Sequence, residues 1–248
     1  MKKLYEKSEL TFAIVWIVLY CVLLSLGDSI SIKIGIEKAI TLPIAAALSL
    51  ILFIYIKKNG LMKKYGFCKS TISGRKMLYY LPIIALLTVN LWFGVKLNFS
   101  VVETVLYILT MLLVGFLEEV IFRGLLFNAL AKDGVKSAVI ISSITFGMGH
   151  IINLFNGSGA ELVPNLLQVV YAIATGFMLV MIYLRSQSLI VCIVFHGVFN
   201  SLSAFSDEAA LTLSDHMLSG IAIALISIAY AVYLYRSKKT EATEMLKN

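Results

Sequence analysis

The amino-acid sequence predicts an all-α membrane protein with about eight transmembrane helices. Of its 248 residues, 60% are hydrophobic and only 14% are charged, and the mean hydropathy is +0.92. Eight apolar stretches have about the length that a helix needs to cross roughly 30 Å of hydrocarbon. Basic residues alternate between the segments that connect these stretches. The stretches lie near residues 10–27, 39–56, 77–95, 104–131, 137–153, 165–184, 188–205 and 217–235.

The first stretch follows the basic start "MKKLYEK", a pattern that it shares with cleavable signal sequences. Its apolar run is longer than the core of a typical signal, and no small-x-small cleavage site follows it. We therefore expect it to be retained as the first membrane span.

The distribution of Lys and Arg predicts the orientation of the chain. Successive connecting segments were assigned alternately to two sets. The set that includes the two termini holds 17 of the 21 basic residues, and the other set holds three. Arg123 lies within a span and completes the count. Because cytoplasmic loops are enriched in Lys and Arg, we expect a multi-pass protein of the cell membrane with both termini in the cytoplasm. The net charge of +7 is then an orientation signal beside the lipid bilayer, and no nucleic-acid partner is expected. One domain, residues 1–248, is sufficient.

Several polar residues lie deep inside the predicted spans. An ionisable group at this depth costs about 2.5 to 3.5 kcal/mol on insertion scales, so such groups are expected to face one another or water. The residues are Glu118, Glu119, Arg123, His150, His196 and Asn200. At a rise of about 1.5 Å per residue, the fourth, fifth and seventh predicted helices place Glu118, His150 and Asn200 at a similar depth. Arg123 and His196 are expected to lie nearer the cytoplasmic side.

Helical spacing divides these residues into roles. Glu119 and Arg123 are four residues apart and share a helix face, so they are expected to pair. Glu118 points about 100° away from Glu119 and is expected to be left free for another purpose. His196 and Asn200 also share a face and present a donor and an acceptor. Glycines beside the histidines predict close helix approach or space for a substrate: Gly147, Gly149 and Gly197.

This set of residues permits two versions of amide hydrolysis. A buried Glu118 beside His150 can act as a general base on water, while His196 and Asn200 donate hydrogen bonds to the developing oxyanion. Alternatively, Glu118, His150 and His196 can bind a divalent metal such as zinc, which then activates the water. The residue types fit both versions.

Three motifs carry a resemblance to a known family. "EEVIFR" at 118–123, "FGMGH" at 146–150 and "HGVFN" at 196–200 resemble the ordered motifs EExxxR, FxxxH and HxxxN of the CAAX protease and bacteriocin-processing (CPBP, or Abi) family. This family includes the type 2 CAAX prenyl endopeptidases, and the resemblance covers a core of about residues 104–205. It implies a helical bundle like that of the type 2 CAAX proteases and an intramembrane endopeptidase activity.

The resemblance also implies a role for each motif residue. Glu118 would act on water with His150, Glu119 would pair with Arg123, and His196 with Asn200 would hold the oxyanion. The family is described both as metalloproteases and as metal-free glutamate proteases. We favour a metal-free base and keep zinc open. A cavity that opens toward the cytoplasm is expected, with a membrane-associated peptide or protein as substrate and a prokaryotic source suggested by the Lys- and Ile-rich composition.

Two alternatives from other functional classes remain. A non-catalytic regulatory or immunity protein could keep the same fold, although it would not need the full set of polar residues. A proton- or ion-coupled transporter also places charged groups at the middle of the membrane, but the sequence has no repeated half and no pair of broken helices.

Overall fold

A computed structural model describes residues 1–156 and 159–245, and within them the chain is almost entirely helical, without a β-strand. The all-α class is confirmed. By length and composition, six helical segments can cross a membrane, and a shorter apolar one spans Ile190–Phe205. The α-helices are α1 (Lys2–Lys7), α2 (Glu9–Ile34), α3 (Thr41–Lys58), α4 (Leu81–Leu87), α5 (Val101–Glu119), α6 (Phe127–Leu130), α7 (Val135–Gly149), α8 (Leu162–Ser186), α9 (Ile190–Leu202) and α10 (Leu213–Met245).

The third predicted span, 77–95, is not one continuous helix. A 3-10 segment, Gly74–Tyr80, is followed by α4 and by a second 3-10 turn, Val89–Leu91. Three successive residues, Leu78, Tyr79 and Tyr80, have positive φ angles of 49°, 49° and 59°. Residues in the left-handed region interrupt the α-helical hydrogen bonds. The apolar composition of this stretch therefore did not predict its backbone conformation correctly.

The broken segment still connects the two ends of the bundle. At its start, the Tyr230 hydroxyl, from the last third of the membrane-crossing part of α10 (Leu213–Ser237), donates to the Met77 carbonyl. After its end, the Lys96 amide donates to the Phe205 carbonyl, just before α10. The alternation of connecting segments between the two ends is therefore preserved through this region.

One end of the bundle, which we call the basic end, gathers the loops between α3 and α4, α6 and α7, and α8 and α9. Lys64 and Lys132 both contact the Glu9 carboxylate, at 2.7 and 2.9 Å. The Ser188 hydroxyl donates to the Cys68 carbonyl at 2.6 Å. These contacts bring together loops that the alternation of Lys and Arg places on the same side.

The other end, which we call the opposite end, gathers the segments before α3, α5, α8 and α10. The Ser29 hydroxyl donates to the Asn156 carbonyl at 3.2 Å, and the Glu37 amide donates to the Glu103 carboxylate at 3.1 Å. Large apolar side chains on the outer faces of α2, α3 and α10 are exposed, including Val18, Leu50 and Leu225. Apolar surface of this extent matches lipid rather than water.

Pairs of helices that carry the motifs approach closely at glycines. A Cβ at Gly115 of α5 would lie 2.4 Å from the backbone nitrogen of Gly197 in α9. A Cβ at Gly147 of α7 would lie 2.6 Å from the backbone nitrogen of Ile173 in α8. These contacts hold α9 against α5 and α7 against α8 at backbone distance. A Cβ at Gly149 would meet no atom within 4 Å. The glycines therefore provide both predicted features, close helix approach at Gly147 and Gly197 and open space at Gly149.

The helix that carries the two glutamates changes its hydrogen-bond pattern at the motif. It begins with a capping box in which Ser100 and Glu103 satisfy each other's backbone amides, and α5 ends at Glu119. Val120–Leu126 then forms a π-helical segment before α6. Such segments are rare and occur frequently at functional sites.

Candidate active site

Four residues of α5, the π segment and α9 form one connected, buried cluster. Arg123 Nη1 donates to Glu119 Oε1 at 3.0 Å, which is the pairing that their spacing predicts. His196 Nδ1 lies 2.8 Å from the same Glu119 oxygen, and His196 Nε2 lies 3.2 Å from Glu118 Oε2. Glu119 and Arg123 are at most 1% exposed, and Glu118 and His196 are 7% exposed. The close contact between Gly115 and Gly197 explains how His196 reaches both carboxylates.

Glu118 has a further partner that the motifs do not contain. The Tyr20 hydroxyl of α2 donates to Glu118 Oε1 at 2.6 Å. The expectation that Glu118 is left free was therefore wrong, because a helix 98 residues earlier in the chain supplies a donor. Nothing in the sequence distinguishes Tyr20 from the other eleven tyrosines, since this contact depends on tertiary packing alone.

The charges of the cluster do not balance without a further proton. Arg123 offsets one carboxylate, that of Glu119, and a second carboxylate remains at Glu118. Burying an uncompensated charge is costly, so the cluster is neutral only when one more proton resides on Glu118 or on His196. His196 Nε2 lies 3.2 Å from Glu118 Oε2, a buried oxygen that has no hydrogen-bond partner among the described residues.

Phe146, from the second motif, lies between the cluster and His150. The Arg123 guanidinium lies 4.0 Å from the centre of the Phe146 ring, a cation–π contact of about 0.5 to 2 kcal/mol. The same ring contacts the rings of His150 and His196 edge to face, with centroids 5.4 and 5.6 Å apart. The aromatic residue of this motif therefore sets the spacing between the two histidines.

His150 occupies the start of a 3-10 segment, His150–Leu154, that follows α7. Its backbone carbonyl accepts a hydrogen bond from Asn165 Nδ2 at 3.0 Å. Asn165 is 2% exposed, and its Oδ1 is buried without a hydrogen-bond partner. The buried amide of α8 fixes the position of the turn that carries His150.

A cavity of about 540 Å³ brings the remaining motif residues together. Glu118, His150 and Asn200 line it, with Tyr20 and Phe146 beside them. In the described part of the chain, Glu119, Arg123 and His196 are not part of this lining, which places them behind Glu118. Glu118 is thus the carboxylate of the cluster that faces the cavity.

The cavity extends from Glu118 to the opposite end of the bundle. Residues of that end form its outer walls, among them Asp28, Lys38, Asn156 and Glu161. Since the sequence predicts the basic end to be cytoplasmic, this geometry differs from the expected opening toward the cytoplasm. The expectation rested on the family resemblance and on the depth of His196 in the membrane. Neither shows between which helices the cavity opens.

Comparison with known families identifies a similarity in the part of the chain that carries the motifs. Residues 100–202 match the family described as type II CAAX prenyl endopeptidase Rce1-like. Residues 100–202, which we call the Rce1-like domain, are therefore similar to the CAAX proteases. No curated protein matches the chain. All three motifs lie within the Rce1-like domain, whereas Tyr20 and Lys38 lie on the preceding part of the chain. The chain is thus a multi-pass membrane protein in which residues 100–202 are similar to this protease family.

The metal version of the chemistry needs three donors that can converge on one ion. Within the described residues, no group of three His, Cys, Asp or Glu side chains is arranged to hold a metal. Both ring nitrogens of His196 face carboxylates, at 2.8 and 3.2 Å, so metal binding by Glu118, His150 and His196 would require His196 to leave one of them. The arrangement of these three side chains does not fit a metal as it stands.

Lys38 places a positive charge at the wall of the cavity near the opposite end. Its Nζ lies 2.9 Å from Asp28 Oδ1 and 3.4 Å from Glu37 Oε1. Burial of the ammonium group acts to lower the pKa of Lys38, but the charge and hydrogen bond of Asp28, with Glu37, outweigh burial and raise it. Lys38 therefore stays charged at neutral pH and compensates the carboxylate of Asp28.

The glycine contact behind the cluster gives a first prediction. We expect Gly115→Ala to lower the free energy of unfolding by about 1 to 3 kcal/mol, the usual cost of overpacking, and to reduce activity because α9 must move with His196. The thermal unfolding midpoint and the cleavage rate measure the two effects. Gly124→Ala is the control, since its Cβ would meet its nearest neighbour at 3.7 Å. Equal effects of both substitutions would contradict the proposed role of the contact.

Proposed function

We propose that the Rce1-like domain is an intramembrane endopeptidase that hydrolyses a peptide bond of a membrane-associated peptide or protein with a water activated by Glu118. One observation carries the proposal. Glu118 faces a cavity of about 540 Å³ that His150 and Asn200 also line, while the rest of the cluster supports it from behind. The family match supports a protease, and it leaves the roles of individual residues as proposals.

In the proposed reaction, Glu118 removes a proton from a water in the cavity as the water oxygen attacks the carbonyl carbon of the substrate. A new C–O bond forms, and the carbonyl becomes an oxyanion. The proton then passes to the leaving nitrogen, the C–N bond breaks, and Glu118 returns to its initial state. Tyr20 holds one oxygen of Glu118 and directs the other toward His196 and the water. General acid–base catalysis of this kind contributes about 10²- to 10⁴-fold.

We assign His196 a different role from the oxyanion role that the resemblance implies. Its Nδ1 lies against Glu119 and its Nε2 against Glu118, an arrangement in which Glu119 orients the ring and His196 shares a proton with the base. It does not line the cavity in the described part of the chain. His150 and Asn200 do, so we assign them the hydrogen bonds to the oxyanion.

Peptide cleavage by the purified chain tests the proposal. Wild type and His150→Ala, both in lipid bilayers, are incubated with a library of membrane-associated peptides, with and without a metal chelator. We expect cleavage by wild type, no effect of the chelator, and a loss of about 10²-fold or more in His150→Ala because an oxyanion donor is removed. The thermal unfolding midpoint checks that the variant is folded.

Other outcomes separate the remaining alternatives. Loss of cleavage with chelator that zinc restores would overturn the metal-free mechanism in favour of Glu118, His150 and His196 as ligands. Undiminished cleavage by His150→Ala would remove His150 from the mechanism. Binding of a peptide without cleavage would support a regulatory or immunity protein, and ion transport without cleavage would support a transporter.

A further inference from the structure

The cavity reaches only one end of the bundle through residues that the structure describes. Its outer walls come from α2, from the segment before α3, and from the segments that flank α8 and α10. At this end they include Asp28 and Lys38 on one side and Leu211 and His216 on the other. The described residues of the basic end, by contrast, contribute no wall to this cavity.

Buried side chains occupy the space between the cluster and the basic end. Phe122, Leu126 and Phe127 are 3 to 4% exposed, and the Phe127 ring packs edge to face on Tyr183 of α8, with centroids 6.0 Å apart. The side-chain amide of Asn128, the next residue, donates to the Tyr183 hydroxyl at 3.1 Å. Such packing excludes water and peptide, so Glu118 is closed off from the basic loops.

The distribution of basic residues relates these two ends to the two sides of the membrane. Seventeen of the 21 Lys and Arg residues belong to the segments of the basic end and the termini. Short loops enriched in Lys and Arg remain in the cytoplasm. The open end of the cavity therefore faces away from the cytoplasm.

We propose that the protease takes its peptide from the extracytoplasmic side of the membrane. The substrate is then an extracytoplasmic segment of a membrane-anchored or exported peptide, and a translocation step must precede cleavage. Cleavage of this peptide rests on the proposed function, whereas access to the cavity from this side of the membrane does not. Amide side chains line the route, including Asn153 and Gln168, which are hydrogen bonded to each other at 3.1 Å.

Thiol labelling from each side of the membrane tests the proposal. Single cysteines are introduced into the full chain after the native Cys21, Cys68 and Cys192 are replaced by Ala. Ser25→Cys and Leu211→Cys report on two separate walls of the cavity, and Lys69→Cys reports on the exposed loop of the basic end. A charged, membrane-impermeant methanethiosulfonate reagent is added either to right-side-out or to inverted membrane vesicles.

We expect both cavity cysteines to react in right-side-out vesicles and to remain unmodified in inverted ones, with the opposite result for Lys69→Cys. Reaction of the cavity cysteines only in inverted vesicles would overturn the proposal, and so would protection from both sides. The two cavity positions guard against the failure of one variant to fold. Because labelling needs no enzyme activity, a chain that labels as expected but cleaves nothing would contradict only the proposed function.

Discussion

We expect Glu118→Gln to lower the rate of peptide cleavage by about 10²- to 10⁴-fold, the usual contribution of a general base, without a comparable loss of stability. Glutamine has the shape of glutamate, and its carbonyl oxygen can still accept the hydrogen bond from Tyr20. It cannot take a proton from water. Single-turnover rates measure the chemical step, and the thermal unfolding midpoint measures the fold. Cleavage close to the wild-type rate would exclude Glu118 as the base.

Tyr20→Phe is the companion variant, because it removes only the hydroxyl that contacts Glu118. A hydrogen bond to a charged group contributes about 1.5 to 3 kcal/mol, so we expect kcat to fall by roughly 10-fold or more while KM changes little. If Tyr20 acts through Glu118, the same substitution made in Glu118→Gln should cause no further loss. An equal loss in both backgrounds would instead indicate a general structural role for Tyr20.

We expect Arg123→Met to lower the free energy of unfolding by about 3 to 5 kcal/mol, because it leaves the buried carboxylate of Glu119 without a cation. Arg123 is 1% exposed, so its guanidinium is shielded from bulk solvent. Methionine fills much of the same volume without a charge, so the loss reports electrostatics more than packing. Reversible unfolding in a mixed detergent measures the change.

The double variant Glu119→Gln with Arg123→Met distinguishes charge compensation from packing. With both charges removed, we expect stability to return toward wild type, whereas cleavage stays low because His196 has lost its charged partner. Lys132→Ala is the control, because its side chain is 57% exposed and an exposed ion pair contributes about 0 to 1 kcal/mol. A double variant less stable than Arg123→Met would contradict the electrostatic explanation.

Features that depend on neighbours along the chain could be predicted from the sequence. The apolar stretches became helices in all but one case, and the spacing of Glu119 and Arg123 predicted their pairing, because four residues of an α-helix bring two side chains to the same face. The Lys and Arg pattern predicted which loops lie together, as the contacts of Glu9 with Lys64 and Lys132 show.

Features that depend on distant parts of the chain could not be predicted. The hydrogen bond from Tyr20 to Glu118 joins residues 98 positions apart, and no spacing rule relates them. His196 was assigned by spacing to a pair with Asn200, yet its ring turns toward the two carboxylates of another helix because glycines let the backbones meet. The break at Leu78, Tyr79 and Tyr80 occurs in apolar sequence that also suits a helix.

The π segment Val120–Leu126 separates the functions of the two halves of its helix. A π turn holds about one residue more than an α turn, which shifts the rotational phase of every later side chain by about 100°. Glu118 and Glu119, before the shift, meet α9, while Phe127, after it, meets Tyr183 of α8. Deleting one residue within the segment would therefore put the two halves in a single phase, and one face could no longer serve both neighbours. Both contacts therefore require the extra residue of the π segment. The number of residues in this part of the helix is constrained as well as their chemical identity.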